Sequence, residues 1–169
     1  MTYLLSDMHL GHKDIHKKFR TQFNSDEEHD QTIITNYLNT ITKRDTVYFL
    51  GDIAFSDEAI EKVQKLPGYK ILVLGNHDVD RGTNRAKALQ ACFDKICGIT
   101  SKHQIWLTHA PIHPEELRGK FNIHGHVHNK TLQDYRYANV SMENINYTPV
   151  TFQEIQEAFV QEKIFTKLN

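Results

Sequence analysis

Short apolar runs and amphipathic stretches alternate along the first hundred residues, and each apolar run ends in a polar cluster. Thr2–Leu5 predicts a short strand leading into Ser6-Asp7-Met8-His9, after which Gly11 allows a turn. Asp14 to Phe19 suits a short helix. Ser25 and Glu28 have capping-box spacing, and Ile33, Ile34, Tyr37, Leu38 and Ile41 follow at helical spacing to about Thr42. Thr46–Leu50 predicts a buried strand closed by Gly51-Asp52. Ser56 caps a helix to Leu66, with Ala59, Ile60, Val63 and Leu66 on one face, and Pro67-Gly68 stops it. Tyr69–Leu74 is a third strand running into Gly75-Asn76-His77-Asp78. Arg85–Ile96 reads as a helix, and Ile99 belongs to a short strand.

The second half is mostly extended. Gln104–Leu107 predicts a strand ending in Thr108-His109-Ala110-Pro111, and Glu115-Glu116 falls in a turn. Lys120–Ile123 leads into His124-Gly125-His126-Val127-His128, and Tyr137–Met142 is one more strand. Thr151 and Glu154 form a second capping box that opens a final helix, with Ile155, Ala158, Phe159 and Ile164 inward. The order β-α-β-α-β-α, then strands, then a helix argues a layered α/β fold, read as a single domain over residues 1–169.

Composition narrows the classes. At 39% hydrophobic residues the chain can bury a core without staples, and a formal net charge of −1 gives no sign of a general nucleic-acid binder. No apolar run approaches the length of a membrane span, and the N-terminus lacks a signal-peptide pattern. Cys92 and Cys97 fit no zinc or redox spacing and read as reduced thiols, so the expectation is a cytoplasmic protein. Eleven histidines in 169 residues call for a chemical explanation, above all the three in His124–His128. Alone, that stretch is as well explained by a solvated turn. In an extended segment His126 and His128 point the same way, with Val127 into the fold and His124 on their face.

The polar clusters share a position. Each lies at the carboxyl end of a predicted strand, the edge where α/β sheets bind ligands. Asp7, His9, Asp52, Asn76, His77, His109, His126 and His128 can therefore converge. Mixed Asp, His and Asn donors without cysteine suit Mn, Fe, Ni or Zn. They exceed what one ion needs. Two divalent ions sharing one carboxylate would use them all, favour phosphate, and hold a hydroxide for in-line attack.

In order along the chain, Asp7-x-His9, Gly51-Asp52, Gly75-Asn76-His77-Asp78, His109 and Gly125-His126-x-His128 resemble the five motifs of calcineurin-like metallophosphoesterases. The small cap-less bacterial and phage members are the nearest in form, and Asn146–Val150 (NYTPV) is similar to an ending in that group. The resemblance implies an α/β/β/α sandwich of two mixed sheets flanked by helices. It implies Asp7, His9 and His128 on a first metal, and Asn76, His109 and His126 on a second. Asp52 bridges both, and His77 is the catalytic acid or the stabiliser of the phosphoryl group. One position departs from the pattern. Many relatives place an Asp three residues after the bridging Asp to orient the acid histidine, and here that residue is Phe55. Asp78 and Asp57 are the candidates to replace it.

Other side chains have weaker claims. His12 is a candidate to reach a substrate phosphate, His113 to line the cleft, and His124 to support a ligand. His16, His29 and His103 read as surface residues. Arg81 and Arg85 could clamp phosphate, and Tyr135-Arg136-Tyr137 could stack on a base, although solvated charge and strand packing explain them more simply. The expected activity is hydrolysis of a small phosphoester, with nucleotide-type phosphodiesters favoured over phosphomonoesters and over long nucleic acid. A non-catalytic metal-binding scaffold is the competing class. Neither a membrane partner nor an oligomeric state follows from the residues.

Overall fold

The computed structural model describes residues 1–80 and 82–168, with side chains described to Gln161. Arg81 and the inward placement of Ile164 fall outside what is described.

Three parallel strands form the heart of the larger sheet. These are β1 (Thr2–Leu5), β2 (Thr46–Phe49) and β3 (Tyr69–Val73), in register Thr2 opposite Thr46 and Thr46 opposite Tyr69. β4 (Lys95–Cys97) extends this sheet in parallel beside β3, and β9 (Val150–Thr151) closes the other edge antiparallel to β1. The smaller sheet orders β5 (Thr100–Lys102), β6 (Ile105–Leu107), β7 (Phe121–His124) and β8 (Tyr137–Asn139). Its β5–β6 pair is antiparallel and its other pairs are parallel, so both sheets are mixed.

Alternation along β1 explains the layers. Tyr3 and Leu5 face a core shared with α2 (Asp26–Thr40), α3 (Asp57–Gln64) and α4 (Thr83–Gln90). Leu4 faces a second core with Ile105, Leu107 and Ile123 of the smaller sheet. α5 (Phe152–Leu168) supplies Phe152 and Phe159 to that second core. The result is the layered α/β sandwich of two mixed sheets that the pattern and the resemblance predicted. No helix among the described residues is long and apolar enough to cross a membrane.

Several boundaries differ from expectation, each for a local reason. The helix predicted to Ile96 stops at Gln90. Asp94 then exchanges hydrogen bonds with the backbone of Lys70 (2.7 and 2.9 Å), which lays Lys95–Cys97 along β3 as an edge strand. Leu38 is exposed rather than inward, because the buried face of α2 runs through His29, Asp30, Ile33 and Tyr37, with Ile41 buried just past its end. Ala158 is exposed and Phe152 is buried in its place. The strand predicted to Met142 ends at Asn139, and a 3₁₀ turn follows over Met142–Ile145. The Thr151–Glu154 box is reciprocal as expected. At Ser25 the hydroxyl accepts from Glu28 N, but the Glu28 carboxylate reaches back one residue further, to Asn24 N at 2.7 Å.

Candidate metal centre

Asp7 and His9 follow β1, Asp52 follows β2, and Asn76 and His77 follow β3, so parallel pairing brings them to one sheet edge. His109 follows β6, and His126 and His128 follow β7, an adjacent parallel pair in the other sheet. The two sheets are stitched at this edge. His109 Nδ1 donates to Leu50 O (2.7 Å), Ser6 N to Val140 O (3.0 Å), and Ser141 Oγ to Asp7 Oδ2 (2.9 Å).

The backbone that presents these side chains is not extended. Asp7, His9, Asp52, His126 and His128 have φ of 57, 50, 58, 69 and 52°, all left-handed. Each such conformation costs about 1 to 3 kcal/mol, and Asp and His adopt it more readily than most residues. The premise that His124, His126 and His128 share a strand face is therefore corrected. β7 ends at His124, and the chain then turns. Val127 is half-buried rather than pointing into the fold, and it lines a cleft with His126 and His128.

Two groups of ligand atoms result, each mutually within 4.8 Å: Asp7, His9 and His128, and Asp52, His109 and His126. Asp52 Oδ2 stands between them, 3.7 Å from His9 Nε2 and 3.4 Å from His109 Nε2. Asn76 Oδ1 joins the second group at 3.0 Å from His109 Nε2, and His126 Nδ1 lies 3.1 Å from the same nitrogen. Asp7 and Asp52 are buried, whereas Asn76 and His126 are exposed, so the second group faces solvent more than the first.

The donor chemistry fits divalent cations. His109 Nδ1 carries a proton toward Leu50 O, which leaves a lone pair on Nε2 in the neutral ring. That lone pair faces Asn76 Oδ1 and Asp52 Oδ2, both acceptors, so the space between them calls for a cation. Burial alone would push His109 down, but the Asp52 carboxylate, with Asp7 and the Leu50 carbonyl, holds it up at about 8. At neutral pH a proton on this ring can meet those acceptors. In the first group, Asp7 Oδ1 and His9 Nε2 are buried without a hydrogen-bond partner, which is costly unless something else occupies them. Burial, aided by Arg20, pushes His9 down to about 4, so its ring is neutral and offers a lone pair. Asp7 is opposed by burial, yet His9, His109 and the hydrogen bonds of Ser6 and His126 N hold its carboxyl well below the usual range.

Around these ligands lies a set of supports that sequence reasoning missed. Arg20 is 0% exposed. It donates to Asp7 O (2.6 Å), Met8 O (3.0 Å), Glu143 Oε1 (2.9 Å) and His29 Nε2 (2.6 Å). His29, expected at the surface, is fully buried. Its Nδ1 donates to Asp30 Oδ1 (2.9 Å), whose Oδ2 accepts from Gly11 N (2.9 Å), so a chain of hydrogen bonds clamps the turn after His9. Glu143 Oε1 also accepts from His128 Nδ1 (3.0 Å), and this contact raises the His128 pKa. The adjacent His-Asp pair at 29–30 was the one available signal. Nothing local marks Arg20 or Glu143.

The remaining candidates separate. His77 Nδ1 lies 2.7 Å from Asp80 Oδ2, and His77 N donates to Asp52 Oδ1 (2.9 Å). Neither Asp78 nor Asp57 meets the His77 ring. Asp78 accepts from the backbone N–H groups of Asp52, Ile53 and Gly75 (3.0, 3.0 and 2.8 Å), and Asp57 pairs with Arg85 (3.0 Å). Phe55 stacks on His9, ring centroids 4.7 Å apart, and lies 5.2 Å from His77. His12 packs against His9 and Phe55 at 5.8 and 5.0 Å. His113 is exposed and caps the 3₁₀ turn at Pro114–Leu117, away from both groups. His124 is buried, with Nδ1 donating to Gly125 O (2.9 Å), and belongs to neither group. The Arg136 guanidinium is held by Asp134, and Tyr137 OH donates to Ile112 O (2.7 Å), which leaves the Tyr135–Tyr137 stretch to packing.

A layered α/β sandwich with an Asp/His cluster at the strand ends is the class that fold and site define. No family model matches the chain. It is 30% identical over 179 residues to the uncharacterized protein MJ1445 of Methanocaldococcus jannaschii, covering 99% of this chain and 96% of that one. It is 31% identical to the gene 66 protein of Mycobacterium phage L5, covering 75% and 77%. The crystal structure of AQ665, a protein of unknown function from Aquifex aeolicus, superposes with a TM-score of 0.73 at 31% identity, covering 93% of this chain and 98% of that one. The chain belongs to the family of MJ1445 and the phage protein.

Proposed function

We propose that this protein is a binuclear metal-dependent phosphoesterase of the calcineurin-like kind, acting on phosphodiesters in preference to phosphomonoesters. The observation that carries the reading is Asp52 Oδ2, set between His9 Nε2 and His109 Nε2, which joins two ligand groups into one site. Asp7, His9 and His128 would hold one divalent ion and Asn76, His109 and His126 the other, with Asp52 shared. Bound there, two dications supply positive charge for phosphoryl oxygens and activate water at neutral pH.

The chain's own groups do the rest. His77 is half-buried beside Asp52, and Asp80 occupies its Nδ1. Its Nε2 is left to give a proton to the leaving oxygen. Glu143 fixes the His128 ring through Nδ1, which directs Nε2 inward. Asn76 and His126 are exposed, with no segment among the described residues covering them, and that openness supports a substrate with groups on both sides of the phosphorus.

The test is hydrolysis of bis(p-nitrophenyl) phosphate and p-nitrophenyl phosphate by protein loaded with Mn, Ni or Zn. Turnover of the diester exceeding that of the monoester is expected. No turnover of either with any of these metals across the pH range sinks the reading. His77→Ala is expected to retain metal and lose turnover.

A further inference from the structure

A cleft of about 560 Å³ opens beside the ligand groups, lined by Lys18, Phe19, His126, Val127, His128 and Lys130 among others. That volume is within the ordinary range for a small-molecule site, about 300 to 1,000 Å³. Its wall is an aromatic ring turned to solvent. Phe19 is 68% exposed although Arg20, the next residue, is 0% exposed. The two facts are linked. α1 (Ile15–Lys18) ends with the Arg20 guanidinium drawn inward to the carbonyls of Asp7 and Met8, and this throws Phe19 outward. The Phe19 ring is held against His12 at 5.9 Å and 86°, and His12 in turn lies 5.8 Å from His9 of the first ligand group.

Charge has one sign here. Lys18 and Lys130 are exposed on the rim, and neither pairs with a carboxylate among the described residues. Glu143 also lines the cleft, but its carboxylate is engaged by Arg20 and His128. The cleft therefore offers a flat apolar surface and two rim lysines without an ion pair among the described residues, next to the place where a phosphoryl group would sit. A nucleoside joined to more than one phosphate presents the complementary features. Its base stacks on an aromatic ring, and its further phosphate meets the lysines.

We propose that this cleft is the subsite for the nucleoside on the non-leaving side of the scissile phosphodiester, with the base on Phe19 and a neighbouring phosphate at Lys18 and Lys130. The inference rests on the phosphoesterase reading, and the experiment separates the two. Two esters share one leaving group: thymidine 5′-p-nitrophenyl phosphate and methyl p-nitrophenyl phosphate. The parent protein is expected to prefer the thymidine ester. In Phe19→Ala the ratio of kcat/KM values, thymidine over methyl, falls about tenfold, the lower part of the range for loss of one base–aromatic stack. Phe19→Tyr keeps the ratio. An unchanged ratio in Phe19→Ala overturns the subsite while leaving the activity intact.

If the parent hydrolyses neither ester, the phosphodiesterase reading fails, and binding alone decides the subsite. Thymidine 3′,5′-bisphosphate is then titrated into metal-stripped protein by calorimetry. Weaker binding by both Phe19→Ala and Lys130→Ala supports the subsite. Equal affinity in parent and variants, or no binding, overturns it.

Discussion

Glu143 Oε1 lies 3.0 Å from His128 Nδ1 and 2.9 Å from Arg20 Nε, so one carboxylate oxygen serves a candidate ligand and a buried cation together. Burial would raise this carboxyl, but His128 and Arg20 hold it down at about 2. A carboxylate on the far nitrogen of a ligating histidine fixes the ring and makes it a stronger donor. Its loss typically weakens metal binding about 10- to 100-fold. Glu143→Gln is therefore expected to weaken one Mn site by that factor in calorimetric titration and leave the other nearly unchanged. Identical titrations for parent and variant would remove Glu143 from the site. The variant is also expected to melt earlier, since Arg20 keeps its charge and loses its counter-ion.

His77 and Asp80 form the second pair to test. Asp80 Oδ2 lies 2.7 Å from His77 Nδ1, reaching it from three residues further along the same turn, and under the proposed function it would orient that ring where Phe55 cannot. Asp80→Asn should lower kcat about tenfold with metal content and KM little changed, a fraction of the 10²- to 10⁴-fold that a general acid contributes. Asp78→Asn gives the contrasting outcome. Its two oxygens accept from three backbone N–H groups, and an amide has one acceptor oxygen, so a stability loss of about 1 to 3 kcal/mol is expected. Denaturant unfolding and steady-state kinetics on both variants decide it. Equal kinetic and stability effects in the two would mean that Asp78 and Asp80 act alike.

That the candidate side chains converge was legible because each ends an apolar run, and a strand's carboxyl end is a place the pattern marks directly. Asp7, Asp52, Asn76, His109 and His126 come together for that reason. Their surroundings were not legible, since contacts such as Arg20 with Glu143 join residues 123 positions apart with no periodicity between them. His29 shows the limit from another side. On an amphipathic helix its charge type suggests the surface, but tertiary contacts with Arg20 and Asp30 bury it as a neutral ring. The left-handed backbone at His126 and His128 was hidden for a further reason. Alternation along a strand predicts directions only while the strand lasts, and β7 ends at His124. The Gln90 helix end was missed because Asp94 is read as one more helical polar residue until its bond to Lys70 is seen.

Gly125 sets the approach between the sheets. A methyl group on its Cα would overlap Ser6 Oγ and Asp7 Oδ2, the latter also held by Ser141. Neither atom is the tip of a flexible chain, since Ser6 is bonded to Leu50 O (2.7 Å) and Asp7 is fully buried. Gly125→Ala is expected to lower the melting temperature by several degrees, equivalent to about 1 to 3 kcal/mol of overpacking. It should also weaken metal at the Asp7 group more than at the Asn76 group, which lies on the far side of Asp52. Wild-type melting and metal affinity in Gly125→Ala would show that the sheets can part there without consequence.

Acid stability should report on how α1 is tied to α2. Asp26 accepts from Asp14 N (2.7 Å), His16 N (3.3 Å) and His16 Nδ1 (2.5 Å), and so fastens the short helix that leads to Phe19 and Arg20. Partial burial opposes its ionisation, but the His16 ring and the two backbone N–H groups outweigh that and lower its carboxyl from 3.8 to about 2. A carboxyl depressed in the folded state stabilises it fully above the unfolded pKa and stops doing so as pH falls through the folded one. The contribution of Asp26 is thus complete above about pH 4 and gone below about pH 2. Asp26→Asn should melt below the parent at pH 5, and the gap should close as the pH is lowered through 4 to 2. A gap that stays constant across that interval would mean that the carboxylate's charge contributes nothing, and that only its shape holds α1 in place.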